Sequence, residues 1–261
     1  MPGATTMTLF RTLLAACTVA AAPAVAQPVQ LTYAAYFTGL HVADMRANFS
    51  LQPQTYKVQL SFQVTGAASA FMSGGGSSRV DGRFAGDTAQ PRELFSSSQM
   101  RGKVRTTQIG WQDGRPTVAK MEPPLEPERE PVPVAQQAQT IDSMSAMAML
   151  LRRVWATGRC ESDARTFDGR WLSRIQARTV GEESLEQTSR SSFNGVALRC
   201  DIEGQQLAGF VRDADEATLH RPHRASVWFA RMAPGGRLVP VRISVDTHGF
   251  GEATMYVTAE P

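Results

Sequence analysis

The sequence contains few of the residues on which catalytic and metal sites most often depend. Its 261 residues include three cysteines and four histidines, and the G-x-S-x-G pattern typical of a serine hydrolase does not occur. The run Gly74–Gly76 lacks the lysine and the strand-to-helix setting of a phosphate-binding loop, and it indicates a turn or a flexible link. We therefore expect no catalytic residue, no cofactor and no enzymatic activity, with a hydrolase as the least favoured function.

The histidines also fail to predict a metal site. His220 and His223 have a spacing that matches no standard helix-borne pair, and Pro222 between them favours a loop. Arg221 and Arg224 would repel a cation at this position. We expect no metal ion to bind here.

The chain also lacks a large excess of either positive or negative charge. The chain has 27 basic and 24 acidic side chains, which give a formal net charge of +3, and the two signs are interspersed. Nucleic-acid-binding proteins usually show clustered lysine and arginine, so we expect no nucleic-acid partner. The acidic pairs Glu182-Glu183 and Asp213-Asp215 are interpreted as solvated charge in polar loops.

No apolar run reaches the roughly 20 residues that a membrane-spanning helix needs. The N-terminus instead shows Arg11, a short apolar stretch over 12–22, and then small residues up to Ala26. This order is typical of a secretory signal peptide, and it predicts cleavage between Ala26 and Gln27. We expect residues 1–26 to be the signal peptide and 27–261 to be a single β-rich domain in the periplasm, with no transmembrane span after cleavage.

A lipid anchor at Cys17 is the alternative to soluble export. The residues Leu14 to Cys17 resemble the lipobox that precedes a lipid-modified cysteine. Against this interpretation, Arg11 lies so close to Cys17 that the apolar core of such a signal would be unusually short.

Two cysteines remain after the predicted leader. Cys160 and Cys200 in an exported protein most often form a disulfide, which is what we predict here. A zinc site would need further ligands, and a nucleophilic cysteine is the other alternative. On the chain-entropy model a disulfide that closes such a loop contributes about 4 kcal/mol.

Alternating polarity predicts strands along most of the chain. From Tyr56 to Val64 every second residue is apolar, which is typical of a strand with one buried face. Asp113-Gly114 and Asp168-Gly169 are hairpin turn signals between such segments. Pro240 within a predicted strand favours an edge or a bulge.

Two segments depart from this pattern. Residues 121–138 hold five prolines and four acidic residues, and they are predicted to form a Pro-rich surface loop. A helix is predicted over about 142–156, because Asp142 can cap its start and Gly158 can follow its end. Its apolar residues recur at helical spacing and predict packing against the sheet.

These elements together predict a mainly β protein. The fold class that we expect is a single antiparallel curved sheet that closes to a barrel or half-barrel, with one α-helix packed on or in it. The interior of this sheet is predicted either to be filled by side chains and the helix or to hold a cavity.

The order of several segments resembles a known family. These segments are LTYAAYFTGLHVADMRANFSL, YKVQLSFQVTG, DSMSAMAMLLRRV, FDGRWLSRIQ, NGVALRCDIEGQQLAGF and VWFARMAPGGRLVPVRISVDTHGFGEATMYV. In this order the chain resembles the exported bacterial family catalogued as domain of unknown function 3108. The resemblance implies an envelope-directed, β-rich protein, and it implies no activity and no site residues.

Two hypotheses of function follow from these observations. The first is a non-enzymatic periplasmic binding or assembly factor that holds a hydrophobic or lipid-like ligand in the curved sheet. The second is an envelope interaction or structural module with a filled core, which grips a protein partner by the Pro-rich loop or by a sheet edge.

Overall fold

The computed structural model describes residues 27–213, 215, 221–247 and 251–259, and the predicted signal peptide lies outside these residues. One antiparallel sheet holds thirteen strands. The strands are β1 Val29–Phe37, β2 Leu40–Leu51, β3 Thr55–Val64, β4 Gly74–Ala85, β5 Thr88–Met100, β6 Lys103–Gln112, β7 Arg115–Glu122, β8 Ser162–Phe167, β9 Leu172–Leu185, β10 Gly195–Ala208, β11 His223–Arg231, β12 Leu238–Asp246 and β13 Glu252–Ala259. The helices are α1 Val134–Gln137 and α2 Ser143–Thr157, with a 3-10 turn at Gly66–Ala70.

The strand order combines two meanders. Strands β1 to β7 pair in sequence order, strands β8 to β13 do the same, and the first strand pairs with the last. Tyr33 on β1 is opposite Val257 on β13 in this central ladder. The two edges of the sheet are β7 and β8, which are consecutive in the chain. The predicted fold class, an antiparallel sheet curved into a nearly closed barrel with one substantial helix, is thus confirmed.

The alternating segment forms β3 as predicted, with Tyr56 and Val58 buried. Pro240 lies opposite Phe229, beside a register shift in the β11–β12 ladder, which agrees with the predicted bulge. The prediction for Gly74–Gly76 was wrong, because these glycines begin β4. A Cβ on Gly76 would lie only 2.8 Å from the ring of Phe62, so the absent side chains allow neighbouring strands to pack closely.

Helix α2 starts and ends at the predicted caps. The Asp142 carboxylate accepts a hydrogen bond from the Ser145 backbone N–H at 2.9 Å, which satisfies one of the free donors of the first turn. At the other end Gly158 adopts a left-handed conformation, with φ at 66°. Glycine takes this conformation without the steric cost of a Cβ, and so it terminates the helix.

The helix packs inside the curve of the sheet. It contacts β2 to β5 from one meander and β8 and β12 from the other. Leu151 and Val154 are each 1% exposed, and their side chains belong to the same hydrophobic core as the buried residues of the strands. Burying one such aliphatic side chain contributes about 1.5–3 kcal/mol. The space between these strands is therefore filled by the helix and its core contacts.

The linker between the two edge strands closes the seam that the ladders leave open. The backbone N–H of Gln139 donates to the carbonyl of Gly114 in the β6–β7 turn at 2.7 Å. The backbone N–H of Ile141 donates to the carbonyl of Arg165 on β8 at 3.0 Å. Residues 139–141 therefore connect both edges, although β7 and β8 do not pair with each other.

The predicted Pro-rich loop lies mainly at the surface, but its ends belong to other elements. Residues 121 and 122 are the end of β7, and 134–137 form α1. Within the loop, Arg129 forms an isolated antiparallel bridge with Val211, which follows β10, and Val132 is buried. The loop is therefore anchored to the barrel at defined points.

Candidate functional site

A cleft opens between the C-terminal half of α2, the β4–β5 turn and strands β8 to β11. Its volume is about 1050 Å³. Met149, Arg152 and Arg153 face it from the helix, whereas Ala148 and Leu151 are buried. Side chains three and four positions apart share one side of a helix, so this spacing separates a core face from a cleft face.

The lining of the cleft is both apolar and charged. Apolar contacts come from Met149 on the helix and from Ala177, Ile202 and Ala225 on three adjacent strands. Five arginines and five carboxylates supply the charge: Arg152, Arg153, Arg178, Arg199, Arg224, Asp87, Glu161, Asp163, Asp201 and Glu203. The cleft can therefore contact an apolar group and a charged group at the same time.

Each carboxylate of the cleft has an arginine partner. Two of these interactions involve Asp201, which lies 2.8 Å from Arg178 and 3.1 Å from Arg199. The other pairs are Asp87 with Arg153 at 3.6 Å, Glu203 with Arg224 at 3.5 Å, Glu161 with Arg159 at 3.0 Å, and Asp163 with Arg174. Most of the cleft's charge is thus balanced within the protein.

These pairs hold three of the carboxylates ionised. A hydrogen bond from Arg159 lowers the pKa of Glu161 to about 2. Arg174 lowers the pKa of Asp163 in the same way. For Asp201, burial acts to raise the pKa, but hydrogen bonds from Ser226 and Arg199 outweigh it and the pKa is lowered. A carboxylate that is already ionised and paired is a poor proton donor at neutral pH.

A second polar cluster lies inside the protein, between the helix and β3. The Tyr56 hydroxyl is 2.7 Å from the Ser145 hydroxyl, which donates to the Asp142 carboxylate at 2.5 Å. Burial raises the pKa of both Tyr56 and Asp142. Ser145 has no exposed surface and Asp142 is 1% exposed, so the cluster joins the helix start to the sheet and is closed to a substrate.

The disulfide connects the end of the helix to the sheet, as the sequence predicts. Cys160 and Cys200 are bonded, with their Cα atoms 6.0 Å apart, and neither residue is exposed. The backbone N–H of Cys160 also donates to the Thr179 hydroxyl at 2.9 Å on the adjacent strand. The segment that follows the cleft face of α2 is thereby fixed to β9 and β10.

The residues singled out for chemistry are dispersed. Among the described histidines, His41 lies 2.9 Å from Asp44 on β2, and His223 is exposed at the start of β11. His220, which the sequence analysis considers together with His223 as a possible metal ligand, lies outside the described residues. Over residues 27–213, 215, 221–247 and 251–259, no group of three or more His, Cys, Asp or Glu side chains is placed to hold a metal ion.

The acidic pair Glu182-Glu183 was wrongly predicted to lie in a loop. Both residues belong to β9, which continues to Leu185. Glu183 accepts a hydrogen bond from the indole of Trp228 at 2.9 Å and lies 3.4 Å from Arg199. The strand continues through this polar segment because β10 pairs with it as far as Leu185, and Arg199 on β10 and Trp228 on β11 supply polar partners.

Sequence reasoning did not identify the cleft. The helix does contain a signal, since Arg152 and Arg153 are the only charged side chains in α2. The strand residues Ala177, Ile202 and Ala225 give no signal of a cleft, because small and aliphatic residues at strand positions predict ordinary core packing.

The sequence and the fold relate the chain to a known protein family and to a known architecture. The family described as "Protein of unknown function (DUF3108)" matches residues 32–258. The chain belongs to this family. The match includes all thirteen strands in part or in full and all the residues that line the cleft, so the resemblance noted from the sequence is confirmed.

The architecture is similar to that of a protein of known structure. It is a β-barrel-like protein of the domain of unknown function DUF1849 from Brucella abortus, with a TM-score of 0.52 and 11% sequence identity. The similarity covers 88% of this chain and 95% of that chain, and at this identity it supports the fold alone. No curated protein matches the sequence. None of the described helices is long and apolar enough to cross a bilayer.

Proposed function

We propose that this family member is a non-enzymatic binding protein of the bacterial cell envelope, which holds a hydrophobic or lipid-like ligand in the cleft beside α2. The observation that supports this most is the cleft itself. Its volume of about 1050 Å³ lies at the upper end of the range for small-molecule sites, and it combines apolar walls with charged groups.

The position of the helix favours a binding site outside the core. Leu151 and Val154 fill the space between the strands, so the ligand lies outside this core. Met149, Ala177, Ile202 and Ala225 offer apolar contacts on the cleft side of the helix. A methionine adapts to ligands of different shape because its side chain is unbranched and flexible.

Two features support a periplasmic location. The N-terminal residues have the order of a secretory signal peptide. The bond between Cys160 and Cys200 belongs to the kind of covalent link that forms and persists in oxidising compartments such as the bacterial periplasm.

The chemistry of the cleft favours binding over hydrolysis. Neither His41 nor His223 lines it. Its carboxylates each lie near an arginine, and the pKa values of Glu161, Asp163 and Asp201 are lowered. A general acid at neutral pH would instead need a pKa raised toward 7.

Native mass spectrometry of the mature protein from a periplasmic extract tests the proposal. We expect a stoichiometric apolar adduct that organic solvent extracts. The variant Ala225→Trp fills the cleft and should lose the adduct, whereas Ser184→Trp, on an exposed part of β9 outside the cleft, should retain it. Wild-type protein with a bare mass, or an adduct that Ala225→Trp retains, would contradict the proposal.

A second candidate function is an envelope protein–protein interaction module. The filled space around α2 favours it, and so does the open, salt-bridged surface of the cleft. In that case the extracted protein has a bare mass, and chemical crosslinking in intact cells joins the cleft face to one partner protein.

A further inference from the structure

One charge in the cleft has no opposite charge to balance it among the residues that the structure describes. Every carboxylate that lines the cleft lies within 4 Å of an arginine, and four of the five lining arginines take part in these pairs. The fifth is Arg152, which forms no ion pair with any described residue.

The position of Arg152 is fixed by packing. Its guanidinium carbon lies 4.2 Å from the centre of the Phe84 ring, in a cation–π contact. Its Nη1 atom is buried and has no hydrogen-bond acceptor within the described part of the chain. A guanidinium is charged at any physiological pH, so this buried donor remains without compensation.

Two other arginines have a buried nitrogen without an acceptor among the described residues, but neither lines the cleft. The Nε atom of Arg129 lies 3.4 Å from the carboxylate of Glu126. The Nε atom of Arg242 lies in a side chain that stacks on Trp228. Of these three arginines, only Arg152 belongs to the residues that line the cleft.

We propose that the cleft binds an anionic amphiphile whose carboxylate or phosphate group accepts hydrogen bonds from Arg152. The planar guanidinium presents paired donors that match both kinds of oxyanion. The aliphatic part of the ligand then lies along Met149 and the apolar residues of the strands. This inference rests on the proposed binding function and specifies the chemical class of its ligand.

The neighbouring carboxylates do not substitute for such a ligand. Asp87 lies 3.6 Å from Arg153, and Glu161 lies 3.0 Å from Arg159. The Arg153 Nε also donates to the backbone carbonyl of Glu161 at 3.1 Å, so Arg153 is held by the protein itself. Arg152 is the arginine that remains for an incoming anion.

Binding of three probes with the same alkyl chain tests the inference. Dodecanoate carries a carboxylate, dodecyl phosphate carries a phosphate, and dodecan-1-ol carries no charge. We expect wild-type protein to bind the anions at least about tenfold more tightly than the alcohol in calorimetric titrations at neutral pH, as for a charge-assisted hydrogen bond. The ratio between the two anions shows which headgroup the site prefers.

Variants then assign the preference to one side chain. Arg152→Met keeps an unbranched apolar side chain but removes the guanidinium that stacks on Phe84 and carries the charge, and it should abolish the preference for anions. Arg152→Lys should retain part of it. The matched control is Arg79→Met, because Arg79 stacks on Phe95 at 4.4 Å outside this cleft, and it should bind like wild type.

The outcomes separate the two proposals. If wild type binds the alcohol and the anions equally, or if a folded Arg152→Met keeps the preference, the anion inference is wrong while the binding function stands. If none of the three probes binds, the proposed function itself is wrong. Thermal unfolding of each variant establishes that it is folded.

Discussion

The guanidinium of Arg170 donates a hydrogen bond to the carboxylate of Glu126 over 2.9 Å, and it donates another to the carbonyl of Pro123 at 2.8 Å. Arg170 lies in the turn between β8 and β9, and its side chain is only 7% exposed. Glu126 and Pro123 belong to the loop that follows β7. One buried side chain thus holds together the segments beside the two edge strands of the sheet.

Replacing Arg170 should weaken the closure of the barrel. In Arg170→Met we expect a loss of about 2 kcal/mol in the free energy of unfolding, less than for a fully buried pair because Glu126 is partly exposed. Urea unfolding measures the change. Arg115→Met alters an exposed arginine at the β6–β7 turn and should stay within about 0.5 kcal/mol of wild type. Equal stability of the two variants would show that the loop does not hold the seam.

Glu126 should make this closure sensitive to acid. A backbone hydrogen bond lowers the pKa of its carboxyl, and Arg170, Arg129 and Arg105 add to the effect. The ionised Glu126 carboxylate therefore contributes its full stabilisation above its unfolded-state pKa of roughly 4.3. This contribution is lost as the pH falls through the lower pKa of the folded state. We expect Glu126→Gln to be less stable than wild type at neutral pH and to lose less stability on acidification. Parallel pH profiles of unfolding free energy for the two proteins would contradict this expectation.

Asp142 should show the opposite pH dependence. Burial raises the pKa of its carboxyl, so the folded state is penalised increasingly as the pH rises above the unfolded-state value of about 3.9. Asp142→Asn keeps an acceptor for the Ser145 N–H and does not ionise. We expect its stability relative to wild type to increase from acidic to neutral pH, as measured by urea unfolding across that range.

The variant Asp142→Ala serves as the contrast. It removes both the charge and the cap, and it should be about 1 kcal/mol less stable than Asp142→Asn at all pH values, because the Ser145 N–H loses its acceptor. Neither variant ionises at this position, so both should show the same pH dependence, and their difference in stability measures the cap alone. Equal stability of the two variants would show that Asp142 does not cap the helix, and a pH profile parallel to that of wild type would show that its pKa is not raised.

The disulfide should contribute strongly to stability. Replacing both Cys160 and Cys200 with alanine opens a loop with a sequence separation of 40 residues. We expect a loss of about 4 kcal/mol in the free energy of unfolding on the chain-entropy model. Because neither cysteine is exposed, the folded wild type should also resist reduction by dithiothreitol until denaturant is added. Rapid reduction under native conditions would show that this region opens locally.

The local structure was largely predictable from the sequence. Alternation from Tyr56 to Val64 predicts β3, because a strand with one buried face repeats every two residues. The capping residues Asp142 and Gly158 place the ends of α2 correctly, since both act through their own backbone neighbourhood. The Asp168-Gly169 signal likewise predicts the β8–β9 turn.

The cleft and the seam were not predictable, because they depend on contacts between distant segments. Arg152, Asp87 and Ile202 meet only after the two meanders have joined. Gly76 was misjudged for a related reason, since a glycine run indicates a turn locally, whereas here it makes room for Phe62 on the adjacent strand. Arg170 likewise resembles an ordinary hairpin residue until its partner Glu126 is known.

The pairing of β1 with β13 has a consequence for how the chain is made. The ribosome synthesises β1 long before β13, so the ladder between Tyr33 and Val257 cannot form until the intervening strands have emerged. Until then β1 presents a hydrogen-bonding edge with no partner, and such edges are prone to pair with other chains. Closing a loop of this length also makes folding slow. This topology therefore leaves one edge of the first strand open to aggregation until its partner arrives.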